Sequence, residues 1–160
     1  MTDVRIRMFV ADDKDWLLEQ HRFLYARDEG FDETFGALVS DILDDFIAHH
    51  DPERERGWIA EDDGGRLGSV FCTHTNEETA RLRMFLLVPE ARGQGLGRRL
   101  LDLCISHARD QGYRDITLWT HESHRAACAL YAATGWQIED SKATRSFGQD
   151  VVEQNWRYRL

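Results

Sequence analysis

The chain has few of the residues that interrupt, staple or anchor a fold. Its 160 residues include only two prolines, Pro52 and Pro89, with no repeat and no low-complexity tract, so nothing marks a linker between domains. With 42% hydrophobic content, that length suffices for one sizeable core and is too short for two ordinary ones, which predicts a single domain over residues 1–160. The three cysteines, Cys72, Cys104 and Cys128, are scattered, odd in number and never spaced C-x-x-C, which argues against a disulfide framework and a zinc site. The histidines do not change this. His49 and His50 are adjacent, and His121 and His124 lie at a strand end without carboxylates at ligand spacing, so no metal is expected. No apolar run approaches the roughly 20 residues a membrane helix needs. The opening MTDVRIRMFV shows no leader pattern, so a cytoplasmic location with no membrane partner is expected.

Basic charge is also scarce. The chain carries 20 Lys and Arg against 29 Asp and Glu, a net charge of −9. The imbalance is uneven: residues 1–65 hold 18 acids and 7 bases, whereas residues 66–160 hold 11 acids and 13 bases. Most acids of the first segment are expected to solvate outer helix faces. A chain this acidic is a poor non-specific binder of nucleic acid, which depends on Lys and Arg to neutralise phosphates.

What is present is a legible order of elements. Val4 to Val10 reads as a strand and Asp12 to Asp28 as a helix with Leu17, Leu18, His21, Leu24 and Tyr25 on one stripe. A second helix is predicted from Asp32 to His49, where Phe35, Leu38, Val39, Ile42, Leu43, Phe46 and Ile47 recur at three and four. Strands at Gly57–Glu61 and Leu67–Thr73 flank Asp62-Asp63-Gly64-Gly65, whose glycines suit the positive φ of a hairpin turn. A third follows at Ala80–Val88. Beyond it come a helix from Gly95 to Gln111, a strand at Asp115–Thr120, a helix at Ser123–Thr134 and strands near Trp136–Thr144 and Val151–Leu160. Helices placed there supply the crossovers that parallel strands need, so a mixed sheet is expected.

The segment richest in chemistry runs from Leu86 to Leu100, LLVPEARGQGLGRRL, a strand turning through glycines into an amphipathic helix. A helix N-terminus exposes unpaired N–H groups and partial positive charge, a natural cradle for pyrophosphate, and Arg92, Arg98 and Arg99 add full charge. A dinucleotide fingerprint would need glycine where Arg98 stands, and a P-loop would need G-K-[ST], which is absent.

Arg92-x-x-Gly95-x-Gly97, with Pro89 three residues earlier, resembles the Q/R-x-x-G-x-G/A signature of the GNAT acetyltransferases. Ala127, Leu130, Tyr131, Gly135 and Trp136 resemble the family's second motif, with His124 where asparagine is common. Gly112-Tyr113-Arg114, Leu118-Trp119-Thr120, Ser146-Phe147-Gly148 and Gln154-x-Trp156 look like the acetyltransferase half of fusions between MarR-type regulators and GNAT domains. The resemblance implies a GNAT fold, an α/β domain whose central mixed, mostly antiparallel sheet of about seven strands is flanked by four helices. The strands before and after the Gly-rich helix would be splayed.

It further implies acetyl-CoA as donor. Backbone groups of Phe85, Leu86 and Leu87 would pair with the pantetheine arm, Arg92, Gly93, Gln94, Gly95, Leu96, Gly97 and Arg98 would wrap the pyrophosphate, and His124 would bond a main-chain group or the cofactor. Tyr131 would protonate the departing thiolate. The glutamates many members use as base are missing, since those positions hold Arg81 and Trp119. Glu122 and His121 are the available substitutes, and a water relay or an already neutral amine would also serve. The acceptor would be a small-molecule or peptide amine that the sequence does not identify, and both monomer and homodimer are compatible with the sequence. A second reading stays open, a CoA-binding sensor or interaction module with little or no turnover.

Overall fold

The computed structural model describes residues 3–160. The two N-terminal helices show how local chemistry sets element ends. Helix α1 (Lys14–Glu29) starts later than the sequence pattern predicts, because Ala11–Asp13 form a 3-10 turn in which the buried Asp13 carboxylate accepts the Val10 N–H at 2.8 Å. It stops at Gly30, whose φ of 70° is left-handed, a common helix ending. Helix α2 (Glu33–His49) is capped by Asp32, which accepts the Thr34 N–H at 3.0 Å. Its Phe35, Val39, Leu43 and Phe46 are buried, while Leu38 and Ile47 fall at the margin of the stripe.

The described residues fall into two compact units. The first comprises residues up to Phe9, Asp51–Thr117 and Arg159–Leu160. Strands β1 (Arg5–Met8), β2 (Arg56–Asp62), β3 (Gly65–His74) and β4 (Thr79–Leu87) pair antiparallel in sequence order. The start of β5 (Asp115–His121) pairs parallel with β4, and α3 (Leu96–Asp110) is the crossover that this pairing requires. Helix α3 buries Leu96, Leu100, Leu101 and Cys104, repeating at three and four. In the β2–β3 turn only Gly65 adopts positive φ, at 128°. Gly64 instead donates its N–H to the Asp62 carboxylate at 2.8 Å.

Strand β4 carries the irregularity that matters for function. Ser69 pairs with Leu86 and Phe71 with Arg83, so one residue of β3, Val70, is set against two of β4, Met84 and Phe85. Met84 takes φ 50°, and its carbonyl accepts the Ser69 hydroxyl at 2.6 Å. The bulge re-aims the strand just before the Gly-rich turn. The β4–β5 ladder consists of three pairs and ends at Arg81↔Thr117.

The second unit holds Val10–His50 and Leu118–Tyr158. It contains α1, α2, the end of β5, helix α4 (Arg125–Ala133) and the antiparallel hairpin of β6 (Gln137–Ser146) and β7 (Gln149–Arg159). The hairpin turns on Phe147 and Gly148, both at positive φ, 55° and 78°. A phenylalanine there is strained, and it is held by its surroundings. The Phe147 carbonyl accepts the Asp32 N–H, and the Gln149 side chain donates to the Gly30 carbonyl, each at 3.0 Å.

Strand order is β1-β2-β3-β4-β5-β7-β6, and with the four α-helices of the described residues this is the mixed, mostly antiparallel α/β architecture expected. No helix among the described residues is long and apolar enough to cross a membrane.

Backbone crowding beside the bulge gives a direct test. A Cβ on Gly68 would lie 2.5 Å from the Leu86 carbonyl oxygen, whereas one on Gly64 would meet only the exposed Asp62 side chain, at 3.2 Å. Gly68→Ala is expected to destabilise by roughly 2 kcal/mol or more, and Gly64→Ala by less than about 0.5. Urea titration of both variants measures this.

Candidate functional site

In the first unit, β4 leads through a 3-10 turn, Pro89–Ala91, to Arg92 in extended conformation and then to α3. Gly93 and Gly95 are left-handed, at φ 77° and 79°, and no atom lies within 4 Å of where either Cβ would sit. Here glycine is demanded by backbone conformation, and the space beside it is open. Arg92, Gly93, Gln94, Gly95 and Arg98 are exposed, while Leu96 and Gly97 are buried under the first turn of α3. The Arg92 guanidinium donates to the Leu87 carbonyl at 3.3 Å, and Gln94 donates to the Glu90 carbonyl at the same distance. Arg98 stands 3.5 Å from Asp102 one turn on. No side chain caps α3, so its first N–H groups are available to an anion. Leu86 and Leu87 pair with Ser69 and Gly68, and Phe85 lies in the bulge.

In the second unit, Tyr131 on α4 is buried, 4% exposed, with Trp136 and Trp156 rings 5.7 and 5.8 Å away. His121 and Glu122, adjacent in sequence at the end of β5, have different fates. Glu122 is exposed. His121 is 2% exposed, ringed by Trp119 at 4.6 Å and Phe31 at 5.2 Å, and its Nε2 has no hydrogen-bond partner. Burial, then the neighbouring His124, lowers its pKa to about 4 against the pull of Glu153 and Glu29, so the ring is neutral at pH 7. His124 precedes α4, with Nε2 3.4 Å from Glu29, Nδ1 3.4 Å from the Thr120 hydroxyl and Tyr25 edge-on at 4.7 Å.

The sequence missed several members of this surround. Glu29 looks like one more acid at a helix end, yet its side chain is 11% exposed. Phe31 carries no sequence signal, Phe35 belongs to the predicted stripe of the second helix, and Phe147 enters only through the Ser146-Phe147-Gly148 resemblance. Together with Tyr25 they form a continuous set of rings: Tyr25–Phe35 at 4.4 Å, Phe31–Phe147 at 4.9 Å and Phe35–Phe147 at 5.1 Å. By contrast Asp41, Asp44 and Asp45 lie on the exposed face of α2, where Asp44 pairs with Lys14 and Asp45 with His49. Among the described residues no group of three or more His, Cys, Asp or Glu is placed to hold a metal ion.

Comparison with known proteins gives a consistent set of likenesses. The model of the Acetyltransferase (GNAT) family matches residues 12–136. N-acetyltransferase 8 of Homo sapiens is 32% identical over 117 residues, covering 68% of this chain and 49% of that protein. The chain spans about half the length, or less, of the curated relatives it matches. Among solved structures, an acetyltransferase of the GNAT family from Staphylococcus aureus Mu50 superposes with TM-score 0.79 at 16% identity, covering 99% of both chains. An acetyltransferase from Salmonella typhimurium, solved with its cofactor acetyl-CoA, also gives 0.79 at 17% identity, covering 98% of this chain and 94% of that one.

The buried histidines make stability depend on pH. His21, bonded through Nδ1 to the Leu17 carbonyl, is lowered by burial to about 4, as His121 is. Between pH 6.5 and about 4 the unfolded chain binds protons that the folded chain refuses, so stability falls as pH falls through that window. His121→Gln, which cannot protonate, is expected to reduce that acid loss by on the order of 1 to 3 kcal/mol. Denaturant titrations of both proteins at pH 7 and pH 4.5 test it.

Proposed function

The chain belongs to the GNAT acetyltransferase family, and from that premise we propose that it transfers acetyl from acetyl-CoA to a primary amine by direct attack with both substrates bound. The observation that carries this is the open space beside Gly93 and Gly95 at the start of an uncapped helix. Both glycines are left-handed, a conformation L side chains rarely adopt, and nothing covers the main-chain N–H groups that could meet an anion there. The residues present therefore fit the cofactor. The relative with bound acetyl-CoA supports the reading. So does the family match, which runs through both units and favours one acetyltransferase domain over residues 1–160.

Acetyl-CoA supplies the thioester that an amine attacks and from which a thiolate leaves. Arg92 and Arg98 neutralise its phosphates, and the N–H groups from Gly93 to Gly97 bind their oxygens. Main-chain groups of Phe85, Leu86 and Leu87 align the pantetheine arm. Tyr131 holds a proton at its phenolic oxygen for the departing sulfur. His121, buried beside the rings with its Nε2 unbonded, is placed to accept the amine's proton, and the exposed Glu122 is the alternative. His124 orders this surround through Glu29 and Thr120. The likeness to the acetyltransferase half of MarR-type fusions remains part of this reading and rests on the residues quoted for it.

Acetyl-CoA and CoA are expected to raise the melting temperature by mass action, and Arg92→Ala to weaken that shift sharply. Absence of calorimetric binding at millimolar ligand overturns the donor assignment. Tyr131→Phe keeps the ring and deletes the donor, so turnover is expected to drop by roughly 10- to 1,000-fold with acetyl-CoA affinity within a few-fold. An unchanged turnover number would leave Tyr131 a packing residue. Saturable CoA binding without thiol release across an amine panel would favour the sensor reading.

A further inference from the structure

The rings of the second unit form more than a core. Phe31 and Phe35 make a buried floor, while Tyr25, Trp119 and Phe147 are only half-buried and keep part of their faces accessible. Phe147 is held at φ 55°, a conformation that costs a β-carbon-bearing residue about 1 to 2 kcal/mol. A residue strained in that way is retained where its surroundings or its task require it. At the edge of the rings lie two polar groups that burial penalises: the unbonded Nε2 of His121 and the carboxylate of Glu29. An orphaned imidazole nitrogen and a nearly buried carboxylate beside aromatic faces describe a place for a ligand that is apolar in body and carries one cationic nitrogen.

Resting on the acetyl-transfer reading, we propose that Tyr25, Phe31, Phe35, Trp119 and Phe147, with Glu29, form the acceptor site for a monoamine on an aromatic or branched apolar frame. The frame packs on the rings, Glu29 offsets the ammonium charge on arrival, and His121 faces the nitrogen. In the transfer, the bound ammonium first gives one proton to water, and the neutral amine nitrogen then bonds to the acetyl carbon as the carbon–sulfur bond breaks. One N–H proton passes to His121 Nε2, the sulfur takes the Tyr131 proton, and the two side chains re-equilibrate through water. The products are the N-substituted acetamide and free CoA. Polyamines bring a second hydrated ammonium and no aromatic or branched frame for the rings to pack on, and amino acids bring a carboxylate toward Glu29, so both are disfavoured.

The test uses the full chain with acetyl-CoA and three acceptors: phenethylamine, L-phenylalanine, which adds only a carboxylate, and spermidine. Thiol release is followed with mass detection of product. Phenethylamine is expected to exceed each of the others in kcat/KM by about 10-fold or more. Trp119→Ala and Phe147→Leu should raise its KM by roughly 5-fold or more while the thermal shift with acetyl-CoA is kept. Glu29→Gln should do the same at constant kcat. Amine binding is also read without turnover, as the quench of Trp119 fluorescence taken from the difference between the native protein and Trp119→Phe. Preference for spermidine or phenylalanine, or a KM for phenethylamine unmoved by the ring variants, overturns the site. Absence of an acetyl-CoA shift overturns the donor assignment instead, and the fluorescence titration then decides this proposal by itself, with no quench counting against it.

Discussion

Two left-handed glycines govern the strand-to-helix passage of the first unit. Gly93 and Gly95, each near φ 78°, let the chain leave β4, reverse within a few residues and enter α3 with Leu96 already buried and its N–H groups uncapped. A side chain at either position would be conformationally strained and would project into open space beside the helix start. The upstream bulge serves the same passage from the other side, because the left-handed Met84, locked by the Ser69 hydroxyl, shifts the register of β4 relative to β3 just before the turn. Arginines on an otherwise acidic chain then supply charge where the backbone supplies geometry. Main-chain conformation, more than any one side chain, sets the shape of this segment.

The second unit is organised by a different constraint, a tight hairpin whose left-handed position holds phenylalanine instead of glycine or asparagine. That choice is sustained by the corner between α1 and α2, where Asp32 N–H and the Gly30 carbonyl hold the turn and Phe31 and Phe35 receive the Phe147 ring. Strain in the turn and packing in the rings are thus one arrangement. A substitution at Phe147 alters a loop conformation and an aromatic surface together, so its effects on stability and on acceptor recognition have to be separated by readout.

The fold was legible because its signals are local. The stripe of α2, the strand-glycine-helix passage and the crossover positions all lie within windows of about twenty residues, where periodicity and turn chemistry speak directly. Boundaries moved where a short-range hydrogen bond intervened, as at Asp13, whose carboxylate captures Val10 and delays α1. The glycine-rich turn into α3 was legible for the same reason. The surround of His121 was not, because it joins Glu29, Phe31 and Phe35 to Trp119, His124 and Phe147 across a separation of more than eighty residues. Each member looks ordinary in its own window: an acid at a helix end, two aromatics, an aromatic in a turn. The Ser146-Phe147-Gly148 segment was the one available cue, since a large ring directly before the turn glycine departs from the Asn-Gly or Gly-rich usage of two-residue hairpins.

Charge illustrates why position outweighs count. The net excess of acid in residues 1–65 invites the idea that the N-terminal helices draw in cations by long-range attraction. Asp44 and Asp45 instead form exposed pairs with Lys14 and His49, where salt and solvent screen them and their effect on encounter is slight. One nearly buried carboxylate, Glu29, lies beside the aromatic rings, where the local dielectric is lower and a single charge acts more strongly than several at the surface.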